Sequence, residues 1–354
     1  MFRLSTSILR DRPQAVCRFP TVGVESMSVS VVVSNLNGAR YLPRLLDTLA
    51  AQVGVETEVI VVDRHSTDAS GEILRRYPAV RVVQEPPESG LVAGYSVGAK
   101  EATHPLLFFC NEDLYLDEHC LLELATRIDL DSRIAASDSW EWSYDGERLI
   151  RGGLCYRRSL WNICSPFPFR MHECTVSLPD CSPIPFGCAG AVMVHADVYN
   201  ELGGWDTSFF LDYEDTDFFL RAWQHDWICV TVPTAHVFHR VGASNEQIVG
   251  AGEETVSRRR YVSNRASATI VAFKYFSLPF SILGALNWMV TLLGHALLLR
   301  RRTVWLDLMV VGDVARRLPS VVAFRRHNRL WNRAMPGEKF FLDPRFSLDK
   351  WRPS

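Results

Sequence analysis

Along the first third of the chain, short β-branched apolar runs alternate with segments whose apolar residues recur every three or four positions. Residues 28–34 (SVSVVVS) predict a strand, Asn35-Leu36-Asn37-Gly38 a turn, and residues 39–51 a helix. The unit then repeats. Residues 57–63 (TEVIVVD) are a second strand ending in a carboxylate, and Ser66-Thr67-Asp68 opens a helix with N-cap chemistry. Residues 80–84 and 105–110 (PLLFFC) predict the third and fourth strands, with residues 91–102 as the helix between them. Nearly continuous apolar strands alternating with helices specify a parallel sheet covered on both faces. Ligands of such sheets bind beyond the carboxyl ends of the strands, which places Asn35, Asp63 and Asn111-Glu112-Asp113 along one functional edge.

The rhythm breaks over residues 133–185, where Trp140, Trp142, Gly152-Gly153 and five prolines predict an irregular, substrate-shaping loop or insertion. Residues 187–194 (GCAGAVMV) return as a strand, and residues 196–202 as a short helix. Near the end, residues 278–299 hold no ionisable side chain except His295, enough apolar helix to reach across a bilayer's hydrocarbon core. Arginines flank it on both sides, however, and Gly284, Asn287, Thr291, Gly294 and His295 share one face. The expectation is a helix lying in or dipping into the membrane, with residues 304–324 as an amphipathic companion. A pair of core helices in a soluble homodimer is the alternative.

Composition narrows the functional classes. The 354 residues are 47% apolar and 22% charged, an ordinary globular balance, and a formal charge of -2 argues against a nucleic-acid partner. Basic residues nevertheless cluster late, at 258–260, 300–302, 316–317 and 325–326, pointing to an anionic surface or a solvated basic face. The nine cysteines are scattered without a CxxC pair, as expected of reduced thiols. Cys164, His172, Cys174 and Cys181 match no standard zinc-ligand spacing. Residues 1–26 carry no apolar core of a secretion signal and are expected to be a disordered extension. No dinucleotide-binding glycine motif follows the first strand, and neither a P-loop nor a hydrolase nucleophile elbow occurs.

The densest chemistry lies between Leu202 and Ser244, where Asp206, Asp212, Glu214, Asp215, Asp217, His236 and His239 stand among aromatic residues. Carboxylates placed beside Trp and Phe need a partner, so acids in such a setting hold a metal or move a proton.

Five blocks in order, VSVVVSNLNGARYLPRLLDTL, EVIVVDRHSTDAS, GLVAGYSVGA, FCNEDLYL and GGWDTSFFLDYEDTDFFLR with the trailing HRVGAS, resemble the family 2 glycosyltransferases of GT-A fold. The resemblance covers roughly residues 28–255 and is nearest to bacterial rhamnosyltransferases of cell-surface polysaccharide synthesis. It implies that the backbone at Ser34 and Asn35, with Asp63, binds the nucleotide's base and ribose. A cap on the following helix is the other role open to Asp63, although Asp68 suits that better. Asn111-Glu112-Asp113 occupies the family's D-x-D position, with Asn111 on the nucleotide side and Asp113 as metal ligand, and the last His of the acidic segment, His239, completes the site. An imidazole favours Mn2+ over Mg2+. Glu214-Asp215 matches the Glu-Asp pair whose Asp is the general base, with Asp217 orienting the site or the acceptor. Gly203-Gly204-Trp205-Asp206 resembles the turn beside the acceptor, where Trp205 either stacks on a sugar or is a buried aromatic. Two departures stand out: Asn111 replaces the first acid, and Tyr95-Ser96 stands where relatives carry two asparagines.

These readings combine into an α/β protein with a GT-A domain over residues 27–255, a Rossmann-like, mostly parallel sheet flanked by helices. Residues 27–130 form its nucleotide-sugar half, residues 131–255 its acceptor and catalytic half, and residues 256–354 a helical, membrane-associated extension. The expected activity is inverting transfer of a sugar, rhamnose by resemblance, from a nucleoside diphosphate donor to a polysaccharide or lipid-linked glycan at the cytoplasmic face of the membrane. A divalent metal assists it. A sugar-phosphate nucleotidylyltransferase and a non-catalytic, membrane-tethered scaffold are the alternatives.

Overall fold

The computed structural model describes residues 27–85, 90–158, 169–173, 178–210, 212–240, 253–298, 300–330 and 343; the expected N-terminal extension, Cys164 and Cys174 lie outside them. The first half runs β1 (Met27–Asn35), α1 (Leu42–Ala50), β2 (Val55–Asp63), α2 (Ser70–Leu74), β3 (Val80–Gln84), α3 (Leu91–Glu101), β4 (Leu106–Asn111), β5 (Leu114–Leu116) and α4 (Cys120–Ile128). The first helix begins at Leu42 rather than 39 because Gly38 to Tyr41 form a turn and Pro43 supplies the first-turn residue whose N–H is dispensable. There follow β6 (Ile134–Ser143), β7 (Leu149–Arg151), β8 (Leu154–Arg158), β9 (Phe169–Glu173), β10 (Pro183–Ile184), β11 (Ala191–His195), α5 (Ala196–Glu201), α6 (Glu214–Gln224) and β12 (Ile228–His239). The C-terminal helices are α7 (Glu253–Tyr275), α8 (Leu278–Leu297) and α9 (Arg301–Leu330).

One ten-stranded sheet runs in the order β10-β12-β6-β11-β4-β1-β2-β3, with β5 and β7 paired to β12 and β6. β3, β2, β1 and β4 are mutually parallel, β11 inserts antiparallel between β4 and β6, and β12 lies parallel to β6. Side chains alternate across the sheet: Val29, Val31 and Val33 enter the core under α1 and α4, whereas Val32 enters the core under α3, α5 and α6. A Cβ on Gly98 of α3 would stand 2.3 Å from Val32, so the bare glycine lets that helix lie directly on β1.

The expectation of an irregular region over 133–185 is corrected at its start. β6 is a ten-residue strand in the middle of the sheet. Its sequence, IAASDSWEWS, hid it because Ser137, Asp138, Ser139 and Glu141 are polar yet fully or nearly fully buried, an arrangement that hydrophobic periodicity cannot signal.

The core also continues past residue 255. Ala268, Ile270, Val271 and Tyr275 of α7, with Phe276 just after it, join the cluster formed by α3, α5 and α6. Lys274 is buried there, bonded to Asp217 and, at 2.9 Å, to Asp206, while the Tyr275 hydroxyl donates to Asp217 at 2.8 Å. Replacing Lys274 by Met keeps the stem's volume but removes the ion-pair partner of Asp206 and leaves Asp217 to Arg221 and Tyr275. Because Arg221 still pairs Asp217, the expected loss is about 3 kcal/mol of unfolding free energy, near the lower end for a broken buried pair, measured by urea denaturation; an unchanged midpoint would remove the ion pair from the core's stability.

Candidate active site

The turns after β1 and β2 meet at the carboxyl edge. Asn35 Nδ2 donates to Asp63 Oδ1 at 2.7 Å and to Ser66 Oγ at 3.0 Å, and Ser66 Oγ donates to Asp63 Oδ1 at 2.5 Å. Asn37 and His65 hold left-handed backbone in these two loops, which the Asn37 N to Ser66 Oγ and Thr67 N to Asn37 Oδ1 bonds lock together. Asp68 accepts from the amides of Ala39 and Ser70, but it is not the expected cap: α2 starts after Ala69 with no side-chain cap bond. Ser34 is buried with its Oγ unpartnered, and so is Asn35 Oδ1, which leaves polar atoms unsatisfied beside Asp63.

α3 packs on β1 and β2 at this edge. A Cβ on Gly94 would stand 2.4 Å from Ser34 Oγ. The two departures from the family pattern touch each other: the buried Tyr95 hydroxyl donates to Asn111 Oδ1 at 2.6 Å. Arg64, unforeseen from sequence, is buried beside them with its Nε unpartnered. Burial pulls its pKa down, and the carboxylates of Glu112 and Asp63 pull it back. Glu112 is pushed up to about 8 by burial and by Asp113, against Arg64.

The second half of the site is a chain of buried ionisable groups. β5 pairs antiparallel with β12, setting Leu114 opposite His239 and so bringing His239 to Asp113. His239 Nε2 lies 3.0 Å from Asp113 Oδ1, and its Nδ1 lies 2.5 Å from Glu141 Oε1. Glu141 Oε2 accepts from Arg151 Nε at 3.1 Å, Arg151 Nη1 donates to Asp138 Oδ2 at 3.0 Å, and Asp138 Oδ1 accepts from the Cys188 amide at 2.9 Å. Burial pulls the imidazole down, but its bonds to Asp113 and Glu141 win and raise it to about 10. Burial opposes ionisation of Glu141 as well; His239 and Arg151 outweigh it and lower that carboxyl to about 2. None of Asp138, Glu141 and Arg151 was foreseen, and the only sequence signal was two acids within an apolar aromatic stretch.

Glu214 and Asp215 open α6 after two consecutive left-handed residues, Asp212 at φ 65° and Tyr213 at φ 71°. Such backbone is strained for side chains of this size and persists only when its surroundings hold it. Asn264 of α7 supplies one hold, donating to Asp212 Oδ2 at 3.1 Å. Asp215 accepts from the Thr216 amide at 2.6 Å. Burial nevertheless raises it to about 6, with Thr216 and the more distant Arg151 opposing. Glu214 is held well above the usual carboxylate range by burial and by Asp215, and its Oε2 has no partner.

Trp205 and Asp217 are buried, whereas the Asp206 side chain is 32% exposed. Trp205 is buried among Phe109, Tyr199 and Phe218, an aromatic core position. Asp217 is fully buried between Arg221, Lys274 and Tyr275. Asp206 faces Lys274, which outweighs burial and lowers its pKa to about 2.

Among the described residues no group of three His, Cys, Asp or Glu side chains converges as a metal cage. Asp113 and His239 do present an oxygen and a nitrogen to one another, with Glu141 fixing the other ring nitrogen, the outer support usual for a ligating imidazole. Once His239 gives up its Nε2 proton, that donor set fits a cation held by two protein ligands and completed by oxygens of a bound substrate, as for Mn2+ or Mg2+.

The model described as glycosyl transferase family 2 matches residues 30–203. An uncharacterized glycosyltransferase of Nostoc sp. is 42% identical over 48 residues, 14% of this chain and 15% of that protein. The poly(ribitol-phosphate) beta-N-acetylglucosaminyltransferase TarS of Staphylococcus aureus is 33% identical over 109 residues, 29% of this chain and 19% of that protein. The aligned stretches thus span 15% and 19% of the length of these curated relatives. Among solved structures, GalNAc-T7 with UDP, GalNAc and Mn2+ matches with TM-score 0.58 at 17% identity, over 76% of this chain and 52% of that one. The mannosyltransferase PcManGT from Pyrobaculum calidifontis, in complex with GDP-Man and Mn2+, matches with TM-score 0.50 at 14% identity, over 94% and 87%. At these identities the likeness is one of fold: a GT-A-like α/β fold with a mixed, mostly parallel sheet and flanking helices.

Glu141→Gln removes the anionic partner of His239 Nδ1 while keeping the side chain's shape. The imidazole is then expected to titrate at least about one unit lower, followed by NMR of the ring protons; an unmoved titration would break the chain at that link.

Proposed function

We propose, from the match of residues 30–203 to the glycosyl transferase family 2 model, that the protein is an inverting glycosyltransferase. It takes a sugar from a nucleoside diphosphate donor, with dTDP-rhamnose as the resemblance-based choice, and passes it to a hydroxyl of a polysaccharide or lipid-linked glycan. The observation that carries this reading is the meeting of Asp113 with His239 at the carboxyl edge, on the same edge as Asp63, in a domain that also carries Asp215 with its raised pKa. Support for a nucleotide-sugar donor comes from the fold's solved neighbours, which hold UDP with GalNAc and GDP-Man.

In this reading Ser34, Asn35 and Asp63 bind base and ribose: the Asn35 and Ser66 bonds fix the Asp63 carboxylate, and the unpartnered Ser34 Oγ and Asn35 Oδ1 find their partners on the nucleotide. Asn111, held by Tyr95, lines the same pocket, and the buried Arg64 guanidinium supplies positive charge beside it. Asp113 and His239 are the residues that would hold the divalent cation, which when bound neutralises the leaving diphosphate. The acceptor oxygen bonds to the anomeric carbon as the bond to diphosphate breaks on the opposite side, and the hydroxyl proton passes to Asp215. Glu214, its carboxyl held well above the usual range by burial and by Asp215, stands beside that base. Trp205, Asp206 and Asp217 serve the acceptor side indirectly, by setting the position of α6.

Asp215→Asn is expected to leave donor-nucleotide affinity within about twofold while lowering transfer by at least about a hundredfold, read by product formation with a panel of nucleotide sugars. In the unaltered protein the base is ionised above about pH 6 and lost below it, so the rate should fall about tenfold per unit on the acid side. Undiminished transfer by Asp215→Asn removes the residue from the base role; absence of transfer from every nucleotide sugar by the unaltered chain returns the fold to a non-catalytic one.

A further inference from the structure

The C-terminal helix pair turns its apolar side outward. In α8, Ile282, Leu286, Met289, Leu293 and Leu297 are 51%, 50%, 58%, 58% and 83% exposed, and their spacing of four, three, four and four puts them on one face. Ser281, Gly284 and His295 of the same helix face protein instead. Gly284 is buried, Ser281 is buried with its hydroxyl toward the backbone of α7, and His295 Nδ1 lies 2.7 Å from Asp307 of α9. Asp307 is itself fully buried and accepts from the Tyr261 hydroxyl at 2.7 Å. α9 adds Trp305, Leu308 and Val311, which are 58%, 47% and 49% exposed. A helix pair in water arranges its residues the other way round, so this face is built for an apolar medium.

Charge selects the medium. Residues 278–326 contain seven arginines and two acids, and both acids are consumed internally: Asp307 by His295 and Tyr261, Asp313 by Arg316 and Arg317. Arg300 and Arg301 are exposed at the corner between the helices, one turn before Trp305. A second copy of the same face brings no acid to these arginines, whereas phosphate headgroups do. No helix among the described residues is long and apolar enough to cross a membrane, so the stripe fits a surface rather than a crossing.

We propose that the outward face of α8 and α9 docks in the plane of an anionic lipid bilayer, its leucine stripe at the acyl boundary and its arginines on the headgroup phosphates. α7 connects this face to Lys274, which holds Asp206 and Asp217 beside the start of α6. For the proposed transferase, and resting on that reading, the docking narrows the acceptor to a lipid-linked glycan.

The test is flotation of the full chain with vesicles of phosphatidylcholine alone and of phosphatidylcholine with phosphatidylglycerol, without any nucleotide sugar, so that its outcome does not depend on the activity. The protein is expected to float with the anionic vesicles. Leu286→Asp with Leu293→Asp should cut the bound fraction by at least about tenfold, and Arg300→Ser with Arg301→Ser should abolish the preference for the anionic lipid, both with unchanged circular dichroism. A chain that stays unbound with both vesicles, or a Leu286→Asp, Leu293→Asp variant that floats as well as the parent, overturns the proposal. So does a dimer in sedimentation that ignores vesicles and is dissociated by the same pair of substitutions, which assigns the face to a second copy.

Discussion

Asp113 has almost no access to solvent, and a carboxylate in that position is tolerated only if a cation or a set of donors answers it. His239 is that answer, and satisfying His239 in turn requires Glu141, then Arg151, then Asp138. The sheet is arranged around this requirement. β12 must run beside β6 to bring Glu141 within reach of His239, β5 must pair with β12 to set Asp113 against it, and β7 must fold onto β6 to deliver Arg151. Charges buried this way are worth little as net stabilisation. What they secure is a fixed imidazole orientation and a local field that extends to Asp215.

Much of the nucleotide side was legible in the chain because it is local. Each residue there sits at or just past the end of its strand, Asn35 at the end of β1, Asp63 at the end of β2 and Asp113 after β4, so the rule that ligands bind at the carboxyl edge locates them together. The chain behind His239 was not legible. Glu141 is 98 positions away from it, and the strand that carries Glu141 reads as polar and irregular because its buried acids are partnered only across the sheet. Arg64 escaped notice because nothing in its neighbours announces that a cation following a strand-end carboxylate will be buried.

The segment from Trp205 to Asp217 illustrates a different limit. Its composition marked it as chemistry, and the acids were visible, but composition does not tell which way each one points. Asp215 stands at the first turn of α6, while Asp217, two residues on, turns inward to Lys274 of a helix that the sequence pattern had placed in a separate region. α7 therefore belongs to the site's construction: it holds Asp206, Asp212 and Asp217, and with them the strained entry into α6.

In the proposed site a nucleoside diphosphate shares a cation with Asp113 and His239. Calorimetric titration of UDP, dTDP and GDP into the full chain, each with Mn2+ and with a chelator, measures that directly. One of the three is expected to bind with Mn2+ and to lose most of its affinity with chelator. Equal binding in both conditions, or none with any nucleotide, contradicts the account.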